Sequence, residues 1–142
     1  MKRMGTYVLI ITLGSDLTTE VGALGTLSFP AGTYLYAGSA LGGLDQRVSR
    51  HIRHEKTVKW HIDRLTVAAD SVVAYESYPD YIPECELASI AEEFGMIPFV
   101  DGFGCSDCSC RTHLLRVTGG SLDFLIERAH LEPFRDRRNE IK

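Results

Sequence analysis

Nine consecutive residues near the start of the chain, Gly5 to Leu13, read Gly-Thr-Tyr-Val-Leu-Ile-Ile-Thr-Leu. A continuous apolar run this rich in β-branched side chains reads as a strand buried on both faces, and it commits the chain to a sheet. Gly14-Ser15-Asp16 turns the backbone. Val21 to Phe29 reads as a second strand, with Gly22 and Gly25 marking a bulge or tight bend. After the turn Pro30-Ala31-Gly32, Thr33 to Ala37 makes a third strand. Short turns between three strands imply an antiparallel meander.

The pattern then changes period. Gly38 to Gly43 loosens the backbone before a helix from about Leu44, in which Leu44, Val48 and Ile52 recur every four residues as the buried face. Arg47 and His51 share an adjacent face. A short second helix is expected from Thr57, with Val58, Ile62 and Leu65 inward. Ser71 to Tyr78 reads as a fourth strand, and Pro83 opens a helix that runs to Glu93 and stops at Gly95. Phe99 to Cys110 is a loop. Thr112 to Val117 makes a fifth strand, and Ser121 caps a last helix with Phe124, Leu125 and Ile126 inward. Arg135-Asp136-Arg137-Arg138 reads as a solvated end. The expected architecture is α+β: one domain over residues 1–142, a small, mainly antiparallel sheet with helices packed on it, and residues 118–142 as a helical extension.

A chain of 142 residues can bury a core of useful size, and its apolar runs are far too short to span a membrane. Met1-Lys2-Arg3-Met4 leads straight into strand-like sequence without a signal-peptide pattern, so a cytoplasmic location is expected. Net charge is −4, which argues against a polyanionic partner until its distribution is seen. Between Arg47 and Arg64 six basic residues face two acids, leaving nine basic and seventeen acidic side chains elsewhere. A local basic face on an acidic body suits an anionic ligand, and it equally suits a solvated helix face.

Several residues in and beside that stretch have the chemistry to handle phosphate. Arg47 is a permanently charged planar donor suited to bidentate phosphate contact, and His51 one helical turn later titrates near neutrality. Gly38, Gly42 and Gly43 permit close backbone approach ahead of the helix N-terminus. Ser39, Arg50, Arg53 and Lys59 complete a candidate nucleic-acid-binding set. Trp60 reads as packing on the sheet and Asp63 as the partner of a nearby arginine, with His61 a candidate acid/base group. Cys105, Cys108, Cys110 and His113, with Cys85 in reserve, could hold Zn²⁺. They are crowded into nine residues, and structural thiols, a disulfide to Cys85, or a pocket lined by Asp107 and His113 are the alternatives.

Gly5-Thr6-Tyr7 and Tyr36-Ala37-Gly38-Ser39, followed by Arg47 and His51, resemble the GIY-YIG nuclease superfamily. Tyr36 to Ala40, Arg50-His51, Trp60 to Asp63, Glu84 to Ala88, Gly102-Phe103-Gly104, Asp107-Cys108, Cys110 and His113-Leu114 resemble one branch of it. That branch is a prokaryotic, largely archaeal domain of unknown function found at times beside endonuclease III-type repair enzymes. The likeness spans Gly5 to about Val117, and it departs from the better-known nucleases in the longer gap between the two tyrosine motifs.

The resemblance implies a metal-dependent endonuclease that hydrolyses DNA phosphodiester bonds in repair, with Tyr36 as general base, Tyr7 as its support, and Arg47 and His51 at the phosphate. It also implies an Mg²⁺ or Mn²⁺ carboxylate on the helix after Pro83. Two glutamates compete there. Glu84 shares a stripe with Leu87, Ala88 and Ala91 and is preferred, whereas Glu86 aligns with Ile90 and Glu93 and is the second candidate. A phenol with an unperturbed pKa near ~10 needs a nearby cation to act as a base. The alternative on the same fold is a non-catalytic nucleic-acid-binding module.

Overall fold

The structure is a computed structural model and describes residues 2–104 and 111–138. Gly5–Leu13 forms β1, and it sits inside a six-stranded sheet rather than at its edge. Its neighbours are β4 (Gly32–Ala40) and β5 (Ser71–Ser77), both antiparallel to it. Beyond β4 lie β7 (Leu114–Arg116) and β6 (Ile97–Pro98), and beyond β5 lies β8 (Glu132–Pro133). Every pair in this sheet is antiparallel.

The expected meander is corrected here. Residues 21–29 do not add a strand next to β1. Among the described residues, Leu17–Glu20 (β2) and Thr26–Phe29 (β3) pair only with each other, joined by a 3-10 turn at Gly22–Leu24. Gly22 and Gly25 both take positive φ, which ends each strand and folds the hairpin away from the main sheet. That leaves the long edge of β1 to β4, which extends to Ala40 and so carries the whole Tyr36-Ala37-Gly38-Ser39 motif within its ladder.

Helices cover both faces of the sheet, because β1 alternates strictly. Tyr7, Leu9, Ile11 and Leu13 enter one core with Tyr34, Phe29 and Phe103. That core is closed by α1 (Leu44–Ile52) and α2 (His61–Ala68), through Leu44, Val48, Ile62 and Leu65. Val8 and Ile10 enter the other, with Leu35 and Ala37, under α3 (Glu84–Glu93) and α4 (Ser121–Arg128).

Several boundaries move. α2 begins at His61 rather than Thr57, and Val58 is exposed in the connection before it. Ile52 is exposed, and His51 takes the buried place beside Val48. Pro83 and Gly120 flank their helices from outside, and Ser121 bonds the Thr118 carbonyl rather than a helix N–H. Phe124 is exposed, though its ring stacks on Phe94. The basic tail is not simply solvated: Arg137 meets Glu76 at 3.3 Å, and its N–H donates to Asp45. Arg3 reaches the same two carboxylates from the other end of the chain. Among the described residues no helix is long and apolar enough to cross a membrane.

Candidate functional site

The two tyrosine motifs lie side by side because β1 and β4 pair, with Tyr7 directly opposite Gly38. That register needs a glycine. A Cβ at Gly38 would stand 2.4 Å from the Tyr7 hydroxyl, so the bare backbone is what lets the phenol lie across β4. The Tyr7 hydroxyl meets His51 Nε2 at 2.8 Å, and both residues are almost fully buried. Burial pushes the Tyr7 phenol far up, so it stays protonated. Burial also pushes His51 down to about 3, helped by the charges of Lys56, Arg47 and Arg50 against the opposing pull of Asp63. The pair is therefore a neutral phenol on a neutral imidazole at pH 7. Among the described residues, His51 Nδ1, also buried, has no hydrogen-bond partner.

Arg47 lies one helical turn before His51, half-buried. Its Nη1 donates to the Ser39 carbonyl at 3.1 Å, and among the described residues it forms no ion pair with a carboxylate. Arg50, three residues on, is held differently. Both its terminal nitrogens donate to Asp63 at 2.9 Å, and Nη2 also reaches the Thr57 carbonyl. Asp63 accepts two further bonds, from the backbone N–H groups of Lys59 and Trp60. Burial alone would raise its pKa; the Arg50 guanidinium and those two amides overcome that and hold it down to about 2. Arg53 is exposed at the end of α1.

Tyr7, His51 and Arg47 open onto a cavity of about 300 Å³. Tyr7, Tyr36, Gly38, Ser39, Arg47 and His51 form its floor and one wall, and Lys59, Trp60 and His61 line it from the connection into α2. Glu84, the first residue of α3, closes it with Gly104. On β4, β7 pairs with Tyr34, Leu35 and Tyr36, and the residues of β4 that line the cavity come at that boundary and beyond it. Gly104 abuts Tyr36, since a Cβ there would stand 2.9 Å from its ring, and its positive φ suits glycine.

Of the residues singled out by sequence, Tyr7, Tyr36, Gly38, Ser39, Arg47, His51, Lys59, His61 and Glu84 meet at this cavity. Arg50, Arg53 and Glu86 do not line it: Arg50 is engaged by Asp63, and Arg53 and Glu86 are exposed. Sequence reasoning missed Trp60 as a cavity residue. His113 is buried, with Nδ1 4.0 Å from Glu84 and Nε2 3.4 Å from the Cys85 sulfur. Burial lowers its pKa against the pull of Glu84. The cysteines Cys105, Cys108 and Cys110, and Asp107, lie outside the described residues.

Whether these residues suit a metal depends on the ion. Among the described residues no three His, Cys, Asp or Glu side chains gather as a closed site. Mg²⁺ and Mn²⁺ do not need one, since Mg²⁺ keeps several waters and takes one or two carboxylates with substrate phosphate. Glu84, with a side chain 26% exposed on the wall of a cavity that also holds an arginine, fits that pattern.

The fold and the cavity define an α+β domain built around paired tyrosine strands and an Arg–His helix. The family model described as "Domain of unknown function DUF123" matches residues 6–132, and the chain belongs to that family. No curated protein and no solved structure matches it.

Proposed function

We propose that the chain is a metal-dependent endonuclease of the GIY-YIG type, hydrolysing phosphodiester bonds in DNA. The observation that carries this reading is that Tyr36, Arg47 and Glu84, from a strand and two helices on opposite faces of the sheet, border one cavity. In this reading Arg47 donates to the non-bridging phosphate oxygens and stabilises the charge that grows on them in the transition state. Tyr36 is better placed as general base than Tyr7, whose hydroxyl is bonded to His51 and whose burial opposes ionisation. Tyr36 acts as the phenolate, which the charge of Arg47 and of a cation held at Glu84 would favour. It takes a proton from water as the water oxygen bonds phosphorus. The bond from phosphorus to the ester oxygen breaks, and that oxygen takes a proton from protonated His61 and leaves as an alcohol. Glu84 would hold Mg²⁺ or Mn²⁺, which supplies positive charge at the reacting oxygens. Tyr7 and His51 hold the floor rigid. The partner is then DNA in a cytoplasmic repair setting, with an endonuclease III-type enzyme as the candidate companion.

Supercoiled plasmid or branched DNA incubated with the protein and Mg²⁺ should be nicked, and Arg47→Ala should abolish nicking. Equal nicking by the variant would trace the activity to a contaminant and overturn the reading. The alternative on the same fold is a non-catalytic nucleic-acid-binding module, in which Arg47 at the cavity grips phosphate without turnover. Salt-sensitive binding without turnover, weakened by Arg47→Ala, is its signature.

A further inference from the structure

Trp60 is the chain's single tryptophan, and it stands immediately before α2 in extended backbone. Three cationic groups surround its ring. The Arg50 guanidinium carbon lies 4.5 Å from the ring centroid, that of Arg47 4.7 Å, and the Lys59 ammonium nitrogen 5.1 Å. The His51 ring lies 5.7 Å away. The backbone at Trp60 is fixed in both directions by one residue: its N–H donates to the Asp63 carboxylate, and the Asp63 N–H donates to its carbonyl.

Two arginines three residues apart on a helix repel each other. Asp63 relieves this at Arg50 by a two-pronged ion pair. No carboxylate does so at Arg47 among the described residues. A long side chain held by one carbonyl alone, as Arg47 is by that of Ser39, keeps much of its rotamer freedom, and fixing it has an entropic cost. A carboxylate could hold Arg47 in place, but it would occupy the donors and cancel the charge that an anion needs. An aromatic face holds a guanidinium through its quadrupole and leaves charge and edge donors available.

We infer that Trp60 is a positioning residue, whose indole, anchored by Asp63, holds the Arg47 guanidinium at the cavity with its charge available to a phosphate. The inference deepens the proposed reading and rests on it only for what Arg47 grips.

Emission from Trp60 tests the contact in the free protein. Arg47→Ala should change its intensity or maximum, whereas Arg128→Ala on the far face should leave it unaltered. Unchanged emission in Arg47→Ala would overturn the inference. Function is then read from the anisotropy of a labelled short DNA in EDTA, where no turnover is needed. Trp60→Leu, which keeps apolar bulk but removes the π face, should weaken binding about tenfold, and Trp60→Phe should stay within about threefold. In an Arg47→Ala background, Trp60→Leu should add nothing. Equal weakening with and without Arg47 would assign Trp60 to packing alone and overturn the inference. Absence of nicking or of DNA binding would remove the proposed function, while the emission comparison would still decide the Trp60–Arg47 contact.

Discussion

The two faces of the sheet are built by the same strands and do different work. Under α3 and α4 the sheet offers Val8, Ile10, Leu35 and Ala37, met by Leu87, Ala88, Ile90, Leu125 and Ala129. Under α1 and α2 the Leu9–Leu13 half is equally apolar, but at the Tyr7 end the core turns polar and opens into the cavity. The aliphatic face stabilises by area removed from water, at roughly 25 cal/mol per Å². The polar end needs a specific partner for its buried groups, as His51 finds in Tyr7 and Asp63 in Arg50. The aliphatic face is therefore sensitive to changes of shape, and the polar end is sensitive to changes of both shape and chemistry.

The sharpest break in that comparison is Glu84→Gln. It should lower metal-dependent nicking about a thousandfold, or about 4 kcal/mol in barrier, while leaving the urea midpoint within error. A large loss of stability instead would assign Glu84 to the fold. Leu87→Ala, on the same helix one turn later and fully buried, should do the opposite. Its expected cost is about 2–5 kcal/mol in urea unfolding, with nicking per folded molecule unaltered.

Gly38→Ala tests whether the two demands meet at one residue. Its Cβ would collide with the buried Tyr7 hydroxyl, so a loss of about 1–3 kcal/mol is expected together with a loss of activity. Activity retained at full stability would show that Tyr7 can move freely, contrary to its 2% exposure.

The smallest effect at neutral pH belongs to His51. Its folded pKa, about 3, lies below the ordinary 6.5, so below pH 6.5 the unfolded chain takes up a proton that the folded chain refuses. Stability is thus full above about pH 6.5 and falls progressively towards pH 3. Urea midpoints at pH 7.5 and 5 should show this fall in the native protein and a shallower one in His51→Gln. Some dependence should persist in the variant, because His113 is also pushed down. An unaltered slope would mean that His51 is not the group responsible. Asp63 adds a separate loss, between about pH 4 and 2, as its depressed carboxyl is finally protonated.

What the sequence alone determined is whatever depends on residues two to four positions apart. The unbroken apolar run of β1 implied burial on both faces, and both cores receive it. Helical spacing placed Arg47 one turn from His51, and it put Glu84 on the stripe of Leu87 and Ala88 while turning Glu86 to solvent. What only the tertiary structure decided is what arrives from far along the chain. The direct β1–β4 ladder depends on a hairpin folding out of the way; Gly22 and Gly25 mark a bend within residues 17–29 but not that the strands flanking it leave the main sheet. Arg47 and Arg50 look alike in sequence, and a carboxylate thirteen residues beyond Arg50 separates them, neutralising one and leaving the other at the cavity. His51 reads as a group titrating near neutrality until Tyr7 and the core enclose it. Periodicity is a short-range property of the backbone, and it assigns residues to faces. Availability of charge is a property of surroundings, because desolvation and ion pairing act through space, and the fold alone sets which groups come within reach.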